Sequence, residues 1–105
     1  MSTRLFVEFT GGLEAIFDNQ KQTEQHVATE SSQTPQEGVS MRTLLRHLGK
    51  QIKKPQDVQL MLAGDTVRPG VLVLVNETDW ELTGGIETML NDGDCVAFVS
   101  TLHGG

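Results

Sequence analysis

The stretch SMRTLLRHLGKQI, residues 40 to 52, is the one clearly periodic helical segment of the sequence. Ser40 suits the N-cap position because its hydroxyl can accept a hydrogen bond from a free first-turn N–H. Apolar residues then recur at i, i+3, i+4, i+7 and i+11, which predicts one apolar stripe along a helix. Pro55 ends the element. The stripe consists of Met41, Leu44, Leu45, Leu48 and Ile52.

The rest of this helix is basic and weighted toward its C-terminal end. One interpretation is a solvated face that complements the helix dipole. The other is a basic docking patch on an otherwise acidic protein. The sequence favours the first and leaves the second open. The residues concerned are Arg42, Arg46, Lys50, Lys53 and Lys54.

Before the helix, RLFVEF (Arg4–Phe9) is rich in β-branched and aromatic residues and predicts a strand, which Gly11-Gly12 interrupts. LEAIF (Leu13–Phe17) fits either a strand or one helical turn. Residues 18–38 are polar and predict a loop, with a short strand around Thr23–Thr29 as a possibility.

After the helix, Val58–Leu62 predicts a short strand. Pro69-Gly70 suits the two central positions of a type II turn, since Pro presets φ and Gly accepts a positive φ. VLVLV (Val71–Val75) is continuously apolar and predicts a central strand covered on both faces.

The last third predicts one helical turn at Ile86–Leu90, a tight turn at Asn91–Asp94 with Gly93 at its positive-φ position, and a final strand, Cys95–Thr101. One helix among several strands gives an α+β layout in which the helix covers one face of a small mixed sheet. We predict that the stripe packs on inward-facing residues of two apolar strands, Val71, Val73, Val75, Val96 and Phe98, rather than on Cys95, Ala97 and Val99.

Composition sets limits on the function. The chain has 105 residues, which suggests one domain, and its net charge of −6 argues against general nucleic-acid binding. The single cysteine excludes an intramolecular disulfide and favours a reduced cytosolic or nuclear setting. The N-terminus does not resemble a signal peptide, and no apolar run approaches the roughly 20 residues of a membrane helix. We expect a small intracellular domain.

Catalytic patterns are scarce. His26, His47 and His103 lie in unrelated segments without metal-ligand spacing, and we interpret them as surface residues. Cys95 is interpreted as a small buried apolar residue of a strand, with a nucleophile or persulfide carrier as the alternative.

The acidic pair Asp79 and Glu81 raises the question of a metal site or of paired carboxylates. We favour a solvated loop anchored by Trp80 and Leu82. A chain with so few reactive groups is more plausibly a binding partner, or a substrate of enzymes, than an enzyme.

The ending TLHGG supplies the chemistry that the rest lacks. A Gly-Gly ending arises by chance on the order of 1 time in 200. A terminal carboxylate is a poor electrophile, but it can attack the α-phosphate of ATP and become a reactive acyl-adenylate. Glycine has no Cβ, so a terminal Gly-Gly can enter a narrow channel of another protein. We expect that no protease is needed to expose the tail.

Three blocks of the sequence resemble the ubiquitin-related modifier family, the eukaryotic sulfur carriers of the ubiquitin-like β-grasp superfamily. They are VEFTGGLEAIF (Val7–Phe17), DTVRPGVLVLVNETDWEL (Asp65–Leu82) and LNDGDCVAFVSTLHGG (Leu90–Gly105). The resemblance implies a β-grasp domain over residues 1–101 and a flexible reactive tail over 102–105. It also implies that LEAIF is a connecting turn and that the second strand lies near Thr23–Thr29.

The resemblance further implies that the protein is a carrier and modifier, not an enzyme. A ubiquitin-activating-like enzyme with a rhodanese domain would adenylate the carboxylate of Gly105, and a persulfide would convert it to a thiocarboxylate. A tRNA thiolase complex would use that sulfur to 2-thiolate wobble uridine. The same carbonyl would become attached to lysines of target proteins, notably under oxidative stress. ATP and the persulfide donor belong to the activating enzyme, and no bound cofactor, metal, nucleic acid or membrane is expected.

Within the tail we expect Leu102 to be an apolar anchor, His103 a polar contact or a solvated side chain, and Gly104 part of the narrow end. Arg68, Val99 and Leu102 are the candidate partner-binding residues beside it. The polar stretch 18–38 is not expected to dock, so deletion of Ser31–Gln36 should leave activation nearly unchanged.

Two other functions remain open. One is the small subunit of a molybdopterin-synthase-like enzyme, against which the segments VRPG, DWEL and TLHGG argue. The other is a ubiquitin-like interaction domain that is never activated.

Overall fold

The computed structural model describes residues 2–28 and 38–101. Short 3₁₀ turns lie at Leu13–Phe17, Pro55–Leu60, Trp80–Leu82 and Gly85–Glu87. The strands and the α-helix of the described residues are, in chain order, β1 (Ser2–Thr10), β2 (Gln22–Ala28), β3 (Val39–Ser40), α1 (Met41–Gln51), β4 (Leu62–Ala63), β5 (Thr66–Val67), β6 (Val71–Val75), β7 (Thr78–Asp79), β8 (Met89–Leu90) and β9 (Cys95–Ser100).

The main sheet has five strands in the order β2-β1-β9-β6-β7. β9 runs parallel to β1 and antiparallel to β6, while β2 and β7 pair antiparallel at the two edges. Two small ladders, β3–β8 and β4–β5, lie outside this sheet. The predicted α+β fold, a mixed sheet packed on one main helix, is confirmed.

α1 begins and ends as the sequence predicts. Ser40 is extended, and its Oγ accepts a hydrogen bond from the Thr43 N–H at 3.2 Å. Ile52 has left helical geometry, with ψ at 116°, shortly before Pro55. Every member of the predicted apolar stripe is buried.

The core lies between α1 and one face of the sheet. Val96 and Phe98 are fully buried there, so the predicted inward face of β9 is correct. Phe9 stacks on Phe17 with ring centroids 4.0 Å apart and lies 5.9 Å from Phe98, which ties the first 3₁₀ turn to the sheet. Leu5, Val7, Val71, Val73 and Val75 complete the inward face.

The prediction that β6 is covered on both faces is wrong. Its side chains alternate, with Val71, Val73 and Val75 buried, while Leu72 is 49% exposed. α1 packs on one face of the sheet only, so the apolar residues on the other face contribute to an exposed surface.

The predicted strand at Val58–Leu62 is also wrong. Pro55 opens a 3₁₀ turn that runs to Leu60, and the strand that follows is limited to Leu62–Ala63. The fixed φ of proline suits the start of a helical turn and overrides the β-propensity of Val58. Likewise, the turn predicted at Ile86–Leu90 is a 3₁₀ turn at Gly85–Glu87 followed by β8.

The other local predictions are confirmed within the described residues. Leu13–Phe17 is a connecting 3₁₀ turn, and the second strand is Gln22–Ala28, while Thr29 and Ser31–Gln36 lie outside the description. Gly93 has a φ of +91°, in a turn closed by a hydrogen bond from the Asp94 N–H to the Asn91 carbonyl at 3.0 Å. Neither of the two described segments contains a helix long and apolar enough to cross a membrane.

Candidate functional site

The C-terminal end of β9 is fixed by the turn before β6. The Thr101 N–H donates to the Gly70 carbonyl at 2.8 Å, and the Thr101 hydroxyl donates to the same oxygen at 2.6 Å. One backbone carbonyl therefore holds both donors of the last described residue. Leu102 to Gly105 begin directly after this point and lie outside the described residues, so the predicted tail and its separation from residues 1–101 stay predictions.

The turn that supplies this carbonyl is the one predicted at Pro69-Gly70. Gly70 has a φ of +98°, and the Val71 N–H donates to the Arg68 carbonyl at 3.0 Å, as a type II turn requires. Only glycine adopts this φ without strain. The Pro-Gly pair therefore positions the acceptor for Thr101.

A second glycine, Gly11, contacts the end of β9 on the side of β1, opposite β6. Gly11 follows β1 with a φ of +73°, and a Cβ built there would lie 2.9 Å from the Ser100 N and closer still to its carbonyl oxygen. Both of these atoms belong to the backbone, so no side-chain rotation relieves the contact. The first Gly-Gly pair is therefore more than a turn signal, because Gly11 allows the chain to pass tightly against the last strand. We call this arrangement of Gly11, Gly70, Ser100 and Thr101 the tail root.

The outward face of the sheet is partly apolar beside the tail root. Pairing places Val99 opposite Leu72, and Ala97 opposite Leu74, on β9 and β6. Ala97, Val99 and Leu74 are half-buried and line a shallow groove together with polar residues from the neighbouring strands and turn. We call this surface, made of Leu72, Leu74, Ala97 and Val99 with Glu8, Thr10, Asn76 and Glu77 at its rim, the open sheet face.

The candidate partner-binding residues lie on different sides of the tail root. Val99 belongs to the open sheet face. Arg68 opens the Pro69-Gly70 turn, is half-buried, and lines another groove with Leu60 and Leu62. The described structure therefore does not bring Arg68 and Val99 into one groove, and Leu102 lies outside it. Their roles in binding stay predictions.

Cys95 corrects the sequence interpretation, because it is exposed rather than buried. It is the first residue of β9 and has the outward orientation that alternates with buried Val96. Its N–H donates to the Asn76 side-chain oxygen at 2.9 Å, and its carbonyl accepts from the Asn76 N–H at 2.8 Å. These bonds give its backbone a structural role at the turn after β6.

The acidic loop is partly as predicted. Asp79 caps the turn at Trp80–Leu82 by accepting a hydrogen bond from the Glu81 N–H at 2.9 Å. Trp80 is buried and anchors the loop, but Leu82 is 80% exposed, so its predicted anchoring role is wrong.

Two histidines lie in the described structure. His26 is exposed and lies 2.8 Å from Glu24, as expected of a surface histidine. His47 is half-buried, and its Nε2 lies 3.1 Å from the side-chain oxygen of Gln25, which also accepts from Gln51 at 2.7 Å. Burial, and secondarily the charge of Lys50, lower the pKa of His47 below its usual 6.5. This network joins α1 to β2.

Reactive groups are sparse throughout residues 2–28 and 38–101. No three His, Cys, Asp or Glu side chains gather there in a way that could hold a metal ion. The features that the sequence reasoning missed are the acceptor at Gly70 and the close approach at Gly11. Two sequence signals pointed to them, the Pro-Gly and Gly-Gly pairs, but neither shows which strand it will touch.

A mixed sheet on one helix, with its last strand in the middle and leading into Gly-Gly, defines a ubiquitin-like β-grasp protein. Comparison with known proteins narrows this class. A sequence model described as Urm1 (ubiquitin related modifier) matches residues 4–105. Ubiquitin-related modifier 1 of Bos taurus is 46% identical over 99 residues, which cover 94% of this chain and 92% of that protein.

Two further relatives agree. Ubiquitin-related modifier 1 of Eremothecium gossypii is 45% identical over 100 residues, covering 94% of this chain and 95% of that protein. The solution structure of Urm1 from Trypanosoma brucei superimposes with a TM-score of 0.74 at 36% identity, covering 99% of this chain and 97% of that one. The chain therefore belongs to the Urm1 family. It is a ubiquitin-like modifier and sulfur carrier and not itself an enzyme.

Proposed function

We propose that this protein carries sulfur on the terminal carbonyl of Gly105, after activation by a ubiquitin-activating-like enzyme with a rhodanese domain. The observation that carries the proposal is the match to the Urm1 family model, which extends through residue 105. The tail root supports it, because Thr101 is held by two hydrogen bonds to Gly70 directly before the tail begins.

The first step is adenylation. An oxygen of the Gly105 carboxylate attacks the α-phosphate of ATP, forms the acyl-adenylate and releases pyrophosphate. The protein contributes position rather than catalysis. Four residues beyond Thr101 span at most about 14 Å, so the body lies against the rim of the enzyme's pocket while the carboxylate reaches inside.

The second step introduces sulfur. The terminal sulfur of an enzyme persulfide attacks the activated carbonyl and displaces AMP, which leaves an acyl disulfide to the enzyme. A second enzyme thiolate then attacks the enzyme-side sulfur, so the thiocarboxylate leaves and an enzyme disulfide forms. The transferred sulfur is thereby reduced from the sulfane level of the persulfide to the level of a thiolate, and the two enzyme cysteines supply the two electrons as they are oxidised to the disulfide. ATP and the persulfide donor are thus co-substrates of the activating enzyme.

Two fates follow from one activated carbonyl. In the first, a tRNA thiolase complex takes the sulfur for 2-thiolation of wobble uridine. In the second, the ε-amine of a lysine on a target protein attacks the adenylated carbonyl, loses a proton and displaces AMP, so that an isopeptide bond forms. Both acceptors are reached through other proteins, so we propose no direct contact with nucleic acid and none with a membrane. The single cysteine favours the cytoplasm or nucleus as the site of action.

Docking of the body is proposed beside the tail. Val99 lies in the row that leads to the tail root, and Arg68 opens the turn that holds Thr101. Apolar patches and arginines are frequent hot spots of protein interfaces. We propose that these two residues and Leu102 contact the activating enzyme, with His103 and Gly104 in its channel.

Intact mass spectrometry tests the proposal. The full chain is incubated with ATP, a Urm1-activating enzyme and a persulfide donor. Exchange of one oxygen for sulfur adds about 16 Da, and this gain reports activation because only the activated acyl group accepts sulfur. The matched variant lacks Gly105. It keeps a carboxylate on Gly104, but this is drawn back by about 3.5 Å, and a misplacement of 1 Å can cost on the order of 100-fold.

We expect ATP–pyrophosphate exchange of this variant to fall by about 100-fold or more at an unchanged melting temperature. An established Urm1 protein serves as the positive control for the enzyme. Adenylation and thiocarboxylation of the truncated chain at the full rate would show that the tail is not a positioned substrate.

A further inference from the structure

Charge is distributed unevenly between α1 and the rest of the molecule. Residues 40–54 contain five Lys and Arg and no Asp or Glu, while the whole chain has eight Lys and Arg, fourteen Asp and Glu and a net charge of −6. The remainder therefore has three cations against fourteen carboxylates, a formal charge of −11. A surface that serves solubility alone has both signs interspersed.

Three of these cations form one stripe on the side of α1 that faces away from the sheet. Arg42, Arg46 and Lys50 recur at i, i+4 and i+8, so successive side chains are about 6 Å apart along the axis and the stripe is about 12 Å long. Arg46 and Lys50 are exposed, and Arg42 is half-buried. We call these three residues the basic stripe.

The helix dipole does not account for the basic stripe. Lys50 lies in the last turn, where a cation is favourable, but Arg42 lies in the first turn, which has no acidic residue. Like charges at i, i+4 also repel one another and destabilise a helix. The basic stripe therefore destabilises α1 in two ways, through a cation in the first turn and through repulsion between successive cations.

The cations of the basic stripe also lack carboxylate partners within the described segments. The contacts between basic and acidic side chains found there are a hydrogen bond between His26 and Glu24, at 2.8 Å, and the ion pair Lys53–Asp18, at 3.1 Å. The latter uses a basic residue that follows α1, so no carboxylate of residues 2–28 or 38–101 pairs with the stripe itself. Two arginine side chains one helical turn apart are suited to bidentate bonds with carboxylates.

We propose that the basic stripe is a docking surface for a carboxylate-rich segment of a protein partner, and that it is separate from the open sheet face. A partner helix with acidic residues at i, i+4 and i+8 has the same spacing of about 6 Å and the opposite charge. This proposal does not depend on the proposed function of Gly105.

A protein segment matches the surface better than a nucleic acid does. The stripe ends after about 12 Å, and Asp18 lies at its C-terminal edge beside Lys53. A longer polyphosphate would extend past the stripe onto a body whose formal charge is −11. A short acidic protein segment would contact only the cations of the basic stripe and would avoid the acidic surface around it.

The location of the stripe permits two partners at once. α1 covers the inward face of the sheet through Leu44, Leu45 and Leu48, whereas Leu72 and Val99 lie on the opposite face. A protein bound to the basic stripe therefore leaves the open sheet face and the tail root accessible to another.

The test is an NMR titration of the ¹⁵N-labelled full chain at low salt with two synthetic 16-residue peptides of equal composition. One places glutamates at i, i+4 and i+8 on one helical face, and the other has them scrambled. We expect the first to bind more tightly and to shift amides of α1 but not those of the open sheet face. Equal affinity of the two peptides, or no binding, overturns the proposal.

Two double variants separate local contacts from net charge. Arg46→Gln/Lys50→Gln should weaken binding of the ordered peptide by roughly 2- to 30-fold, as expected for two exposed ion pairs. Arg4→Gln/Lys21→Gln removes the same charge from exposed sites elsewhere and should leave binding unchanged. Equal weakening by both, or tighter binding of a 12-nucleotide oligouridylate than of the ordered peptide, would refute a protein-docking stripe. Thermal unfolding curves verify that both variants are folded.

Discussion

Substitution of Gly11 by alanine tests the tail root directly. The new Cβ would lie 2.9 Å from the Ser100 N and 3.0 Å from the Ser100 carbonyl carbon, nearer than side-chain carbons normally approach. Gly11 also has a φ of +73°, which costs an alanine about 1–2 kcal/mol. Relief of the backbone contact requires the end of β9 to move away from β1, and overpacking of this kind costs about 1–3 kcal/mol more.

Gly12→Ala is the matched control. Gly12 has a φ of +102°, so alanine is strained there too, but no atom lies within 4 Å of its Cβ position. Gly12→Ala should therefore show the conformational cost alone. The difference between the two variants, about 1–3 kcal/mol, measures the contact with Ser100.

Urea denaturation gives the free energies of unfolding, and ATP–pyrophosphate exchange gives the rate of adenylation. At about 4 °C per kcal/mol or more, the extra loss in Gly11→Ala should also be visible as a lower melting temperature. Because the tail starts from the displaced strand end, adenylation should fall further in Gly11→Ala than in Gly12→Ala. Equal stability of the two variants would refute the close approach, and equal adenylation would refute its role in positioning the tail.

Leu45→Ala should lower the free energy of unfolding by about 2–5 kcal/mol, since Leu45 is buried in the apolar stripe, and an unchanged urea midpoint would contradict this. The lowered pKa of His47 means that the fold prefers its neutral ring, so this contribution to stability is complete above pH 6.5 and is lost as the pH falls below that value. Urea midpoints at pH 7.5 and 5.0 measure the loss, which His47→Gln should reduce. Val99→Asp should raise the KM for the chain in adenylation by about tenfold, whereas Leu82→Asp, at a leucine that is 80% exposed, should not; equal effects would argue against docking at Val99.

Elements with a strong local signal were predictable from the sequence. α1 combines a cap, a long apolar repeat and a terminating proline, and these three agree on one structure. β9 could be assigned to the correct face because Phe98 and Val96 share one side of a strand whose other side holds smaller or less apolar residues. In both cases local pattern and burial point the same way.

The predictions of burial were wrong where the sequence shows that a residue is apolar but not what will pack against it. The run Val71–Val75 is apolar on both sides of the strand, yet only one side is covered. Cys95 is apolar in type but lies on the outward side of β9. Whether an apolar side chain of the sheet is exposed depends on which face α1 covers, and the local sequence of a strand does not show this.

The turn after β6 shows a different limit. Asn76 and Glu77 both have a positive φ, of 49° and 71°, as in the two-residue hairpin turn that joins β6 to β7. The usual sequence signal for this turn is Asn-Gly, and it is absent here because glutamate occupies the second position. Here the hydrogen bonds between Asn76 and Cys95 support the turn from outside, so tertiary structure replaces the local preference.

The register of β9 also explains why the length of the tail is a fixed quantity. β9 is hydrogen-bonded on both sides, to β1 and to β6, so it cannot supply an extra residue to the tail without shifting against both strands. A shift of one residue would turn Val96 and Phe98 outward and bring Ala97 and Val99 into the core, because side chains alternate along a strand. A shift of two residues would restore the faces but would bring a new residue against Gly11. The body therefore cannot compensate for a missing glycine by sliding β9, so under the proposed function the reach of the Gly105 carboxylate depends on the number of residues after Thr101.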